Sequence, residues 1–485
     1  MDPDKRSQLG AHYTDREKIM LIVGPVVVDP LTREWKAAKQ TVQATLEKAE
    51  KAKSASASTK AHNDAWSLCV AFLERLRSFR VLDPACGSGN FLYLALLALK
   101  DLEHRVNLDC EVMGFTRQFP AVGPEAVRGI EINTYAAELA RVSVWIGEIQ
   151  WMQRNGFNVS RNPILKPLDN IECRDAILNL DGTEAQWPEA DVVIGNPPFL
   201  GSKEMLSRLP ENYVRKFRNT YRHEVSATAD LVMLWVIKAG VLLRERRILG
   251  FGFVTTNKIR NGSNRVATEK IMLTCRIANA WADMPWVIDG ASVRVSIICC
   301  DNGLYLGPCS ILNGQSTNNI SGELTSQKAL LPQQTIKLTQ NLGKAFVGGQ
   351  KDGPFDIPNE VAYKFLTCPI NPNGRPNSDV VRPWCNGMDL ARRSSSTWII
   401  DFGNMSEDDA ALYEAPYAHI EKYVKPHRMR NRDAHRRKYW WQHGRPASRA
   451  KEAIGNSDYI IATPLHLNIA GLLKFTDHSF RITQW

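Results

Sequence analysis

At 485 residues the chain is too long for one compact core, and two domains are the natural expectation. Its 44% hydrophobic and 23% charged residues suit a soluble globular protein, and a net charge of +10 with a pI of about 9.0 favours an acidic polymer as partner. The longest apolar runs, such as Leu92 to Leu99, are too short for a bilayer, and the amino terminus carries no signal-peptide core, so a cytoplasmic protein without a membrane partner is expected.

In chain order, a polar start gives way to Ile19–Val28, an apolar run read as helix. Residues 33–79, rich in Ala, Lys and Glu, read as a helical hairpin broken by the small-residue stretch Ser54 to Ser58. From residue 80 to about 300, apolar runs alternate with helical patterns. The candidate strands are Arg80-Val81-Leu82, Val127 to Ile130, Asp191 to Ile194, Ile248 to Thr255 and Val293 to Cys300. Such alternation predicts an α/β fold with a doubly wound, mostly parallel sheet. Residues 305–350 turn polar and mark a boundary, and the region beyond is irregular and rich in Trp, Pro and Arg. The expected organisation is an amino-terminal helical segment (1–79), an α/β domain (80–305), a linker (306–354) and an α+β carboxyl-terminal domain (355–485). The ten cysteines show no paired C-x-x-C spacing, so neither a metal site nor a disulfide framework is indicated, and Cys299-Cys300 reads as reduced core.

The segment Asp83-Pro84-Ala85-Cys86-Gly87-Ser88-Gly89-Asn90-Phe91 reads as a strand end, a tight turn and a helix start. Gly87 and Gly89 permit positive φ and close backbone approach to a ligand. Asp83 suits an amine-bearing or cationic cofactor and would repel a pyrophosphate, which points to S-adenosylmethionine rather than a dinucleotide. Glu131, followed by Ile132, ends a second strand where an acid commonly binds ribose hydroxyls. The gap from the glycine turn is about twice the roughly 20 residues of a minimal unit, so residues 101–125 are expected to be an insertion. Asp175, followed by Ala176, is a candidate acceptor near the cofactor's adenine. Asn196-Pro197-Pro198-Phe199 follows the apolar run Val192-Val193-Ile194, so it reads as a stiff loop leaving a buried strand. Its amide, bare carbonyls and ring suit the amino group and face of a base turned out of a duplex.

Together these segments resemble the adenine-N6 DNA methyltransferases of the gamma order. The resemblance implies a class I, Rossmann-like S-adenosylmethionine-dependent fold. It also implies a cofactor-clamping segment at Gly10 to Thr14, with His12, Tyr13 and Thr14 at the cofactor. Asp83, Pro84, Ala85, Cys86, Gly87, Gly89, Asn90 and Phe91 match the glycine turn, and Glu131 and Ile132 the ribose side. Asp175 and Ala176 match the adenine side, and Asn196, Pro197, Pro198 and Phe199 the catalytic loop, with Asn196 also at the cofactor. Ala229-Asp230-Leu231 and Gly252 to Asn257 are similar to later sheet motifs.

The resemblance narrows to the MmeI-like, type IIL group and to methyltransferases of DISARM-type phage defence. Pro376 to Trp384, Trp398 to Gly403 and Tyr413 to Pro416 carry it in the carboxyl-terminal region. It implies site-specific methylation of adenine N6 in double-stranded DNA, and a target-recognition domain at 355–485.

Two departures are visible. The chain starts at the clamping segment rather than at a nuclease, so cleavage would need a separate nuclease or another defence-system subunit. Glu34-Trp35-Lys36 reads as helix surface rather than a metal site. Recognition domains of the family run beyond the equivalent of Trp485, which implies a short or incomplete one, or one completed by another polypeptide.

Ten basic residues lie between Lys425 and Lys451 against the lone acid Asp433, with Tyr439, Trp440 and Trp441 among them. Arg436, Arg437 and Lys438 are the candidate phosphate contacts. Two other readings stay open: a methyltransferase acting on RNA, protein glutamine or cytosine N4, and a non-catalytic DNA-recognition subunit.

Overall fold

A computed structural model describes residues 15–157, 168–288, 291–326, 339–341, 343–387, 389, 396–431, 433–454, 459–462, 471–476 and 479–484. The chain divides into two compact units, Met1–Leu330 and Leu331–Trp485.

The first unit opens with α1 (Arg16–Val23), which passes through a π-turn (Gly24–Val28) into α2 (Asp29–Glu50). The hairpin partner α3 (Ala55–Ser78) starts earlier than expected. Ser54 caps it, its hydroxyl accepting from Ala57 N at 3.2 Å, so most of the small-residue stretch forms the first helical turn and the break falls at Lys51–Ser54. Trp35 of the Glu-x-Lys triplet is buried, and Glu34 pairs with Arg75.

The sheet follows: β1 (Val81–Asp83), α4 (Asn90–Val112), β2 (Val127–Glu131), α5 (Thr134–Arg154), β3 (Ile171–Cys173) and β4 (Val192–Gly195). Then come α6 (Ser202–Arg208), α7 (Glu211–Thr220), α8 (Met233–Arg244), β5 (Gly250–Thr256), α9 (Gly262–Met272), β6 (Arg276–Ile288), β7 (Ala291–Asp301), β8 (Ser310–Leu312) and β9 (Gln315–Thr317). The strands form one nine-stranded sheet of order β3-β2-β1-β4-β5-β7-β6-β8-β9. Strands β1 to β5 pair in parallel, and β7 runs antiparallel to β5 and β6. Order reverses between β1 and β4, which opens a crevice at their carboxyl ends. The hairpin β8–β9 extends this sheet, and Ile320 and Leu324 beyond it are buried in the same core, so the first part of the polar stretch expected to be a linker is folded into the first unit. Strand β6 carried no sequence expectation.

Side chains alternate between the two faces of the sheet, as period two requires. Val81, Val192, Ile194 and Val254 pack with α1 to α5, while Leu82, Val193, Phe251 and Phe253 pack with α7 to α9. Residues 101–125 are not a separate insertion. Helix α4 simply continues to Val112, and its buried Glu103 accepts from Ala121 N (2.7 Å) and Val122 N (3.1 Å), steering the chain back to β2.

The second unit holds a three-stranded antiparallel sheet of β10 (Asp356–Ile357), β12 (Trp398–Ile400) and β11 (Val381–Pro383) in that order. Helices α10 (Asn359–Leu366), α11 (Glu407–Ala411), α12 (Glu414–Tyr423), α13 (Lys425–Met429), α14 (Ala434–Lys438) and α15 (Ser448–Ile454) belong to it. A second antiparallel sheet is formed by β13 (Tyr459–Ala462), β14 (Gly471–Thr476) and β15 (Ser479–Gln484). Phe355, Trp398, Phe402, Tyr413, Trp440 and Trp441 form the core around the first sheet.

Candidate active site at the carboxyl ends of the strands

The turn after β1 is built from backbone. Cys86 N donates to Ile130 O (3.1 Å) and Gly89 N to Cys86 O (2.8 Å). Gly87 and Gly89 take φ of 53° and 85°. A methyl on Gly89 would stand 2.9 Å from Ala140 Cα, so the missing side chain is what lets α5 nest against the turn. Glu131, at the end of β2, faces the same turn: Oε2 accepts from Gly87 N and Oε1 from Asn133 N, each at 2.8 Å. Ile132 beside it leaves 68% of its surface exposed, while Cys86 and Phe91 are buried in the core below and Asn90 begins α4. Burial pushes the Cys86 thiol up, so it is a neutral packing group.

Asp83 is the buried acid of the site. Its Oδ1 accepts from Ala85 N at 3.0 Å. Burial pushes its carboxyl up to about 8, an effect opposed by the Ala85 hydrogen bond and reinforced by the charge of Glu131. A buried acid beside another acid suits a cationic or amine-bearing ligand. The Pro84 carbonyl accepts from Trp235 Nε1 (3.1 Å), which ties α8 to the turn.

The Asn-Pro-Pro-Phe loop leaves β4 next to that turn. Asn196 Oδ1 is buried and has no hydrogen-bond partner among the described residues. An orphaned buried acceptor costs about 1–3 kcal/mol, and such groups concentrate at functional sites. Pro197 is buried and Pro198 exposed; Phe199 is half-buried and packs against both faces' cores. Leu231 N donates to Leu200 O (2.8 Å), pinning the loop's exit to the segment that leads into α8. Asp230, also buried, accepts from Thr256 Oγ1 (3.3 Å), and its N donates to Asn264 Oδ1 (2.8 Å). The two later motifs, Ala229-Asp230-Leu231 and Gly252 to Asn257, therefore brace the loop.

Asp175 follows β3. Its Oδ1 accepts from Ile177 N (2.7 Å) and Leu178 N (3.3 Å), its Oδ2 from the Tyr213 hydroxyl (2.7 Å), and Ala176 is buried beside it. Asp83, Glu131, Asp175 and Asn196 thus stand at or just beyond the carboxyl ends of β1, β2, β3 and β4, four strands adjacent in the sheet. His12, Tyr13 and Thr14 lie outside the described residues.

In the second unit, Arg436 pairs with Asp352 and Asp433, Arg437 Nη1 donates to Asn431 O (2.7 Å), and Lys438 is exposed. Trp440 and Trp441 face the core and donate to Glu407 and Met405. Arg428 is likewise buried, against Asp352. Among the described residues no three His, Cys, Asp or Glu side chains gather as a metal site, and no helix is long and apolar enough to cross a membrane.

Sequence reasoning missed Gly195 and Tyr213. The signal for Gly195 was present: a glycine closing a valine-rich strand just before two prolines. Tyr213 carried none, because it lies in an ordinary amphipathic helix 38 positions from the acid that it bonds.

The sheet order, the glycine turn and the orphaned amide at the switch point define a class I methyltransferase fold. The chain belongs to the MmeI DNA-methyltransferase domain family, which matches residues 54–305, just over half of its length. It is 29% identical over 268 residues to DNA methyltransferase A of Bacillus subtilis, an overlap covering 53% of this chain and 27% of that protein. The solved structure of the type IIL restriction-modification enzyme MmeI in complex with DNA superposes with a TM-score of 0.64 at 22% identity, covering 91% of this chain and 58% of the other. The chain thus spans only part of the length of these relatives.

Proposed function

We propose that the protein is a site-specific DNA methyltransferase that moves a methyl group from S-adenosylmethionine to the N6 amino group of adenine turned out of duplex DNA. We place it in the cytoplasm, in restriction–modification or phage defence. The observation that carries this reading is the buried, unpartnered Asn196 Oδ1 beside the glycine turn.

The residues fit such a cofactor. Glu131 would take the ribose hydroxyls, Asp175 the adenine amino group and Asp83 the cationic end. When bound, the cofactor supplies an electrophilic methyl group. The chain's own work is orientation and polarisation. The lone pair of an aromatic amine is delocalised into its ring, which makes it a poor nucleophile. Asn196 Oδ1 and the Pro197 carbonyl accept from its two N–H bonds, draw the nitrogen toward a tetrahedral shape and localise that pair. Phe199 stacks on the base, worth about 1–3 kcal/mol, and correct placement for in-line attack supplies roughly 7–11 kcal/mol.

The test is transfer of tritiated methyl from S-adenosylmethionine to duplex DNA, RNA and protein, followed by nucleoside analysis. Label in N6-methyladenine supports the reading. Label in cytosine, RNA or glutamine replaces the substrate, and binding of DNA without label and without cofactor binding marks a non-catalytic recognition subunit.

A further inference from the structure

Helix α7 begins twelve residues beyond Phe199, yet it doubles back to hold the opposite end of the site. Four of its bonds reach the segment after β3. Tyr213 donates to Asp175 Oδ2 (2.7 Å), Tyr221, at its carboxyl end, to Ile177 O (3.0 Å), Thr220 to Gly182 O (2.9 Å) and Lys216 to Leu180 O (3.3 Å). We propose that Tyr213 is a positioning residue for cofactor selection: its hydroxyl aims the Asp175 carboxylate so that one oxygen is presented to the exocyclic amino group of an aminopurine. This rests on the function proposed above.

The hydrogen-bond inventory of Asp175 argues for it. Two backbone amides fix Oδ1, and the phenol fixes Oδ2. A carboxylate oxygen accepts two hydrogen bonds, so Oδ2 keeps one direction for a further donor. A carboxylate only accepts, so the group it selects must donate: an amino-substituted ring, not an oxo-substituted one. The Tyr213 ring packs edge-on against Phe217 at 5.7 Å, which fixes where its hydroxyl points. Burial and the neighbouring Asp175 both push the phenol up, so it remains a donor at every physiological pH.

The experiment measures calorimetric affinity of the full chain for S-adenosylhomocysteine and for its deaminated counterpart, S-inosylhomocysteine. Tyr213→Phe keeps the ring and removes only the hydroxyl. It is expected to weaken the amino ligand about tenfold and to leave the oxo ligand within twofold. In a cycle with Asp175→Asn the two losses should be non-additive. Equal weakening of both ligands would mean a merely structural role and overturn the proposal, as would no effect on either. A wild-type chain that binds neither ligand overturns the proposed function itself; a wild type that prefers the amino ligand, with no change in Tyr213→Phe, overturns only the role of Tyr213.

Discussion

The Asp83 carboxyl lies directly against the backbone of Gly195: a methyl group added there would stand 2.5 Å from Oδ1. The ends of β1 and β4 therefore meet across the switch point through an acid and a residue with no side chain, and the Asn-Pro-Pro-Phe loop begins one residue later.

Gly195→Ala should cost about 1–3 kcal/mol, because the site is buried and cannot widen without moving a strand. Urea unfolding would measure it. The penalty should shrink in an Asp83→Ala background, where the methyl has room; an equal loss in both backgrounds would disconnect the two residues.

Asp83 also sets a pH dependence. Its folded value of about 8 lies above the ordinary 3.8, so the folded protein holds a proton that the unfolded chain has released. From about pH 4 to about pH 8 the stability contributed by this group falls, and above that window the whole penalty is present. Asp83→Asn should remove this slope, so the variant gains on the wild type as pH rises from 5.5 to 8 in chemical denaturation. A difference that stays flat with pH would refute it. Cofactor affinity should fall in the same variant.

Asn196→Ala should lower methyl transfer by roughly 10²–10³-fold, by analogy with removing one preorganised partner of a transition state. Calorimetric cofactor binding should persist. Because the side-chain oxygen is buried without a partner, the variant should unfold no more easily than the wild type, and a marked loss of stability would contradict that geometry.

Phe199 is half-buried against the cores on both faces of the sheet, and the proposed function gives it a second task, stacking on the base. Phe199→Ala should weaken a complex with 2-aminopurine at the target position more than Phe199→Trp does, read as a smaller fluorescence rise. Identical losses would argue against stacking.

The second unit separates its basic residues by task. Lys438 is the most exposed of the three candidates, its ammonium 5.4 Å from the Tyr439 ring centre, so Lys438→Ala should reduce the slope of log affinity against log salt by about one. Arg436→Ala should instead lower stability, because Asp352 then keeps only the buried Arg428 as a partner in this cluster. An unchanged salt slope in Lys438→Ala would remove it from the interface.

Much of the site was legible because its chemistry is local in sequence. The glycine turn, the acid after β2 and the proline-stiffened loop each occupy a few consecutive residues, and strand alternation puts them on one edge. Strand β6 was not legible: Arg276 to Ile288 carries polar residues and a proline, and its place depends on pairing with β7. The length of α4 was hidden too, since its buried Lys100 and Glu103 read as surface until Val122 and Glu148 are seen to satisfy them. The intramolecular partners of the basic cluster's arginines were hidden for the converse reason. Charge in a sequence does not reveal which guanidinium already has an acid to face.

All four strand-end groups, Asp83, Glu131, Asp175 and Asn196, come from one stretch of little more than a hundred residues, and every bond described around them stays within the first unit. The four groups thus share one compact, sequence-local scaffold.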